Sequence, residues 1–282
     1  MFGQLKDYIT LLKPRVMSLV IFTGFIGLYM APGTISSFNA LISILCIAIA
    51  AGGSGALNMW YDRDIDSIMS RTMNRPLPAG KIPPKIALYF GLFLAILSVI
   101  IMGITINVLS SGILAFTVFF YAFIYTVLLK RHTPQNIVIG GIAGALPPVI
   151  GWAAVTGNIT IEPIIMFLII FLWTPPHFWS LSLDCSDDYK KAKIPMMPIT
   201  SGILQTKKQI FLYTVALVIT TTLPFFYGMS GNYYLAASLI LGGIFLHHTL
   251  RIFVDSRYNK KTFIFSIFYL FLIFFFLAVD RL

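Results

Sequence analysis

The sequence predicts an all-α integral membrane protein of nine transmembrane helices. They form one bundle of two four-helix repeats plus one, with the N-terminus cytoplasmic and the C-terminus external. Three observations carry this reading. Of the 282 residues, 58% are hydrophobic and only 11% charged, against about 25% charged in a soluble domain. The charged residues are gathered between long charge-free runs, and nearly all the basic ones fall on one side of those runs. A chain with a mean hydropathy of +0.87 lacks the polar surface to face water all round. That excludes a soluble globular enzyme, a disordered regulator and a secreted disulfide scaffold.

The runs define the helices. Residues 16–61, 86–129 and 209–250 contain no Asp, Glu, Lys or Arg, and 133–183 contain only Glu162. About 20 apolar residues cross a bilayer as a helix, so each run holds two. The turn signals are Ala31-Pro32-Gly33, Asn107 to Gly112, Gly157-Asn158 and Gly228 to Asn232. A last run, 262–279, holds one more. The expected helices lie near 15–31, 38–60, 86–105, 109–129, 137–156, 162–182, 209–227, 233–252 and 262–280. They form a single domain over 1–282, with repeat halves of about 8–132 and 133–261 and helix 9 at 262–280. The Phe-rich helix 9 is expected to face lipid. Pro175-Pro176 is expected to break or kink helix 6, and Pro147-Pro148 to interrupt helix 5.

Orientation follows from charge. Nineteen of the 20 basic residues fall before helix 1 or after helices 2, 4, 6 and 8, and only Arg281 lies opposite. The positive-inside rule then puts the N-terminus and the large loops in the cytoplasm. The net charge of +10 is on this reading a topology signal, and no nucleic-acid partner is expected. No signal-peptide or transit-peptide pattern precedes helix 1, which favours a bacterial inner (cytoplasmic) membrane. Cys46 and Cys185 fall in mid-helix and on the cytoplasmic side, so no disulfide between them is expected.

The ten acidic residues are informative because they cluster. Two clusters stand out, Asp62, Asp64 and Asp66, then Asp184, Asp187 and Asp188; Asp62 to Asp184 and Asp66 to Asp188 are each 122 residues, and each cluster follows the second helix of a four-helix block. Pro-rich stretches follow both, Arg75-Pro-Leu-Pro-Ala-Gly80 and Ile194-Pro-Met-Met-Pro198. Internal repeats in membrane proteins tend to put the working site at their interface. Asn58, Asp62 and Asp66 stand at i, i+4 and i+8, on one face of a helix continued from helix 2; Asp184 and Asp188 repeat the i, i+4 step. Carboxylates converging at a membrane surface need a cation between them, and an oxygen-only ligand set suits Mg²⁺ shared with phosphate oxygens. Arg71, Arg75, Lys81, Lys130, Arg131 and Lys191 can hold the remaining oxygens of a polyphosphate. The ligand this describes has a diphosphate head and a hydrocarbon tail. Juxtamembrane aspartates are often only solvated loop charges; two clusters in matching register argue against that here.

At these residues the chain resembles a known family. Asn58-Met-Trp-Tyr-Asp62-Arg-Asp-Ile-Asp66 is similar to the first aspartate motif of the UbiA-type intramembrane prenyltransferases. The stretches 130–152, Thr174-Pro-Pro-His-Phe-Trp179 and 187–198, with Leu-Lys-Pro-Arg-Val at 12–16, resemble the branch of protoheme IX farnesyltransferases, or heme O synthases. The resemblance implies a Mg²⁺-dependent transfer of farnesyl from farnesyl diphosphate to the 2-vinyl group of heme b, with addition of water. It implies heme A synthase or a terminal oxidase as assembly partners, beside the lipid bilayer. Asp62, Asp66 and Asp188 become catalytic, with Asp62, Asp66, Asp184 and Asp188 as metal ligands and Tyr189 at the substrate. In that branch the second motif centres on Asp188-Tyr189, whereas helical spacing favours Asp184; whether Asp184 or Asp187 joins Asp188 stays open. His177 is a candidate heme contact or a hydrogen-bonded interfacial histidine. Gly52, Gly53 and Gly55 with Gly140, Gly141, Gly144 and Gly151 offer small surfaces for close helix approach.

Two other readings compete. One is the same fold acting on an aromatic quinone precursor. The other is a cation-coupled transporter, against which the carboxylates stand at helix ends and not at the bilayer midplane.

Overall fold

The computed structural model describes residues 2–282, with side chains from Leu5 onward. It is all helical. Among the described residues, eight helices are long and apolar enough to cross a membrane. A ninth span appears when the short first helix, α1 (Phe2–Leu11), is counted with α2 (Pro14–Met30) across a bend of 54°. The sequence expects a straight span at 15–31; the structure adds a bent N-terminal helix ahead of it, because Pro14 cannot continue the ladder of α1.

The first half continues through α3 (Ser37–Tyr61), α4 (Arg63–Ile68), α5 (Pro84–Thr105) and α6 (Val108–Phe119). The α6 span runs on as a π-helix over Phe120–Leu129. Turn residues do what their chemistry predicts. Ser36 caps α3 by accepting from the Asn39 amide at 3.1 Å. Asn107 caps α6 through the Ser110 amide at 2.8 Å and donates to the Ala153 carbonyl at 2.9 Å, which ties the loop to the second half.

The second half holds α7 (Asn136–Ala145), α8 (Pro147–Thr156), α9 (Ile161–Asp184), α10 (Ser186–Lys191), α11 (Met197–Thr200), α12 (Ile203–Thr220), α13 (Leu223–Phe226), α14 (Asn232–Arg251) and α15 (Arg257–Val279). The break at Leu146, before Pro147-Pro148, lies where the prolines predict it. Of the break or kink expected at Pro175-Pro176, the break does not occur. α9 passes through both prolines, whose surroundings are buried and whose neighbours Thr174 and Ser180 bond the Ile170 and Pro176 carbonyls at 2.8 and 2.6 Å. Neighbouring helices that pack around a proline let it sit inside a membrane helix. α12 and α15 begin five or six residues before their charge-free runs. Lys and Arg are good helix formers whose long stems can reach the interface, so the helix outruns the hydrophobic segment.

Packing joins the halves. α3 lies on α5, α2 on α8, and α9 sits among α7, α12 and α15. α2 and α8 approach so closely that a Cβ on Gly27 or Gly151 would collide with the opposing backbone. Gly144, expected at a helix contact, faces open space. The largest apolar core gathers Trp152, Ile165, Met166, Ile169, Phe245, Tyr269, Ile273 and Phe274. Helix 9 of the sequence reading, α15, therefore does not simply face lipid. Phe268, Phe271 and Phe275 point outward, while Tyr269, Leu270, Ile273, Phe274 and Leu277 are buried. A uniformly aromatic sequence hides which face is which. Elsewhere the outer surface is apolar, with Ile104 and Val108 more than four-fifths exposed, as a lipid-facing bundle requires.

Candidate active site

Two small cores at one end of the bundle position the acidic segments. Ile65 and Met69 pack with Trp179, Tyr189, Ile194, Met196 and Met197. Leu11, Ala56, Met59, Leu77, Ile82 and Ala87 form the other. The apolar residues between the charges therefore bury, and their polar neighbours are held in fixed places.

The first aspartate motif keeps its helical register across a break. α3 ends at Tyr61, yet the Asp62 amide donates to the Asn58 carbonyl at 2.9 Å and the Asp66 amide to the Asp62 carbonyl at 2.8 Å. Asn58, Asp62 and Asp66 thus share a face, and all three are buried. The Asn58 amide donates to Asp62 Oδ2 at 2.8 Å and to Thr126 Oγ1 at 3.0 Å. Lys130 pairs with that same Asp62 oxygen. Both Thr126 and Lys130 reach α3 from the π-helical stretch, in which Thr126 Oγ1 donates to the Tyr121 carbonyl and the Lys130 amide to the Tyr125 carbonyl, each five residues back. π-helical turns are often found at functional sites. No pattern in the sequence announces this one.

The other cations are distributed. Arg75 Nη1 donates to Asp66 Oδ2 at 2.7 Å. Arg131 forks onto Asp64 at 2.7 and 2.8 Å, approaches Asp62 Oδ1 at 3.5 Å and lies over the Tyr61 ring at 4.6 Å. That guanidinium holds the Asp64 carboxyl below the usual carboxylate range. Lys81 is exposed and pairs with Asp7 at 3.7 Å, so it anchors α1 and does not join the aspartates. Lys191 is exposed at the end of α10.

The second cluster divides its carboxylates between two sets of partners. α9 ends at Cys185, and Asp187 and Asp188 open the separate helix α10. Asp184 is exposed and accepts from Asn259 Nδ2 of α15 at 2.9 Å. Asp187 is exposed too. Asp188 instead accepts from Ser70 Oγ at 2.5 Å, which brings it to the loop of the first motif. Tyr189 is buried behind it, and burial pushes its phenol up. The i, i+4 bonding carries on through Cys185, whose amide donates to the Leu181 carbonyl and whose carbonyl accepts from the Tyr189 amide, each at 3.2 Å, while the side chains of Asp184 and Asp188 take different partners.

His177 lies deeper. Its ring stacks between Trp173 and Phe263, with centroids at 4.2 and 4.7 Å, and its Nδ1 bonds Ser266 Oγ at 2.7 Å. It joins α9 to α15. An apolar groove of about 580 Å³ between α6, α8 and the start of α9 is lined by Val108, Ile113, Phe116, Leu146, Val149 and Phe167. It occupies the end of α6 opposite Thr126.

The donor set fits a hard cation shared with a phosphate. Asp62 Oδ1 is fully buried and without a hydrogen bond, an arrangement costing about 1–3 kcal/mol unless a ligand satisfies it. Asp62, Asp66 and Asp188 are each held through Oδ2. Among the described residues no three such side chains are gathered as a ready-made metal cage. A cation here would share its shell with ligand oxygens, as Mg²⁺ commonly does.

Residues 20–277 match the UbiA prenyltransferase family. The chain belongs to the UbiA prenyltransferase family. Among its UbiA relatives, a protoheme IX farnesyltransferase of Rickettsia bellii is 54% identical, covering 99% of this chain and 94% of the relative. One from Rhizobium rhizogenes is 56% identical, covering 98% and 89%. Solved structures share the UbiA fold. A digeranylgeranylglyceryl phosphate synthase superposes with a TM-score of 0.81 at 21% identity, over 99% of this chain and 98% of that one. A UbiA homolog from Archaeoglobus fulgidus, bound to DMAPP and Mg²⁺, gives 0.64 at 18% identity over 97% and 99%.

Proposed function

We propose that this UbiA-family chain transfers the farnesyl group of farnesyl diphosphate to the 2-vinyl group of heme b. Water is added and diphosphate released, giving heme O. The observation that carries the reading is the pairing of two facts. The relatives named for this reaction match nearly the whole chain at 54–56% identity. The buried Asn58–Asp62–Lys130 network supplies a carboxylate and a cation of the kind that a diphosphate with its metal requires.

Asp62, Asp66 and Asp188 would hold Mg²⁺, which, when bound, lends charge to a departing diphosphate. Arg75, Lys130 and Arg131 supply fixed positive charge to the same oxygens, aimed where negative charge grows. Asn58 holds the Asp62 carboxylate in place, and Ser70 does the same for Asp188. Arg71 and Lys191 stand at the rim on the second-motif side, with Tyr189 buried beneath them. As the allylic C–O bond lengthens, the terminal vinyl carbon bonds farnesyl C1. Water captures the cation beside the macrocycle and loses a proton, so the atoms balance as a hydroxyethylfarnesyl group. The surrounding helices keep bulk water from the farnesyl cation. We place the enzyme in a bacterial cytoplasmic membrane, with this end of the bundle and the N-terminus in the cytoplasm and the C-terminus outside.

The test is to express the chain in a membrane that contains heme b as its only heme and to extract hemes for mass spectrometry. A farnesylated, hydrated heme is expected. A prenylated phenol in place of any modified heme would overturn the acceptor.

A further inference from the structure

Lys13 occupies the two-residue break between α1 and α2. Pro14 bars it from the right-handed helical region, and it adopts φ 54°, ψ 56°, a left-handed conformation that glycine usually fills at a helix end. The break is pressed onto α3. Leu11 is fully buried. A Cβ on Gly55 would lie 3.4 Å from the Leu11 carbonyl oxygen and 3.5 Å from Lys13 Cδ. The side chain so placed runs to the aspartate motif, where Nζ donates to Asn58 Oδ1 at 2.5 Å.

That partner is neutral. The neighbouring carboxylates are already engaged, Asp62 by Lys130 and Arg131, and Asp66 by Arg75. Among the described residues no carboxylate lies within 4.0 Å of Lys13. Lys13, Arg75 and Lys130 therefore face Asp62 and Asp66 with a surplus of positive charge in a poorly solvated place. A half-buried ammonium without a counter-charge is unfavourable by itself and becomes favourable when an anion arrives. A prenyl diphosphate with one Mg²⁺ carries a net negative charge of the kind this surplus lacks.

We propose that Lys13 is a further diphosphate-binding residue, held at the site by its left-handed turn and passing from Asn58 to a non-bridging oxygen of the substrate. This rests on the reading of the site as a diphosphate site.

The experiment measures thermal unfolding of the purified full-length protein with Mg²⁺ and increasing inorganic diphosphate, for wild type, Lys13→Met and Lys13→Arg. Wild type is expected to be stabilised. Lys13→Met should unfold without ligand at the wild-type temperature or above it, and need roughly tenfold more diphosphate or higher, the worth of one charge-assisted bond. Lys13→Arg should recover most of the affinity. In turnover, KM for farnesyl diphosphate should rise in Lys13→Met while KM for heme b stays fixed. An unchanged diphosphate response overturns the proposal. If Lys13→Met then also melts earlier, the residue is only a structural tie to Asn58. A raised KM for heme b instead assigns the ammonium to a propionate. A wild type indifferent to diphosphate overturns the site reading itself, and this role with it.

Discussion

Ser70 Oγ lies 2.5 Å from Asp188 Oδ2, joining residues 118 positions apart in the chain. This contact closes the two acidic segments onto one another. It also singles out Asp188 from its neighbours, since Asp184 turns to Asn259 on α15 at 2.9 Å.

Asp184→Asn should accordingly keep near-wild-type turnover, and Asp188→Asn should lose it by orders of magnitude. Losing a ligand of a metal that faces the leaving group raises the barrier by several kcal/mol, and each 1.4 kcal/mol is about tenfold in rate. Steady-state assays at saturating Mg²⁺ decide it. Collapse in Asp184→Asn with an active Asp188→Asn would reverse the assignment.

Asp62→Ala and Asp66→Ala should abolish transfer while the protein still inserts and accumulates in the membrane, because apolar helices and not these carboxylates carry the fold. Excess chelator should stop the wild type, and Mg²⁺ should restore it. Turnover that persists in chelator would remove the metal from the reaction.

Gly151→Leu should destabilise strongly. A side chain there meets the Gly24 carbonyl and the Leu28 amide of α2, which are backbone and cannot rotate away. Overpacking of this kind costs about 1–3 kcal/mol or more. Gly144→Ala, facing open space, is the control, and thermal unfolding in detergent compares them. Equal melting temperatures would show that α2 and α8 can separate at little cost.

Reporters fused after residues 81, 131, 193 and 258 should all read cytoplasmic, and one at the C-terminus external. A single loop read on the opposite side would refute the charge-based orientation.

Much of this protein was legible in its sequence, for a physical reason. A bilayer demands long apolar helices, so charge-free runs and their central turns located the long helices, with α12 and α15 starting five or six residues earlier than their runs. The i, i+4 register of Asn58, Asp62 and Asp66 predicted a shared face, because backbone bonds continue that register even across the Tyr61–Asp62 break. What tertiary structure alone decided lies where local rules are overridden by neighbours. In the bundle α9 continues unbroken past Pro175-Pro176, and one face of the Phe-rich α15 turns inward. Asp184 bonds Asn259 of α15, while Asp188 bonds Ser70 beyond the first motif. A π-helix set Thr126 against Asn58 and Lys130 against Asp62. Lys13, by sequence one more positive charge before the first span, reaches the site only because Pro14 turns the chain there and Gly55 lets that turn down onto α3. Spacing along a chain predicts contacts within one helix. Contacts between helices depend on how apolar faces pack, and nothing in the order of the residues states that directly.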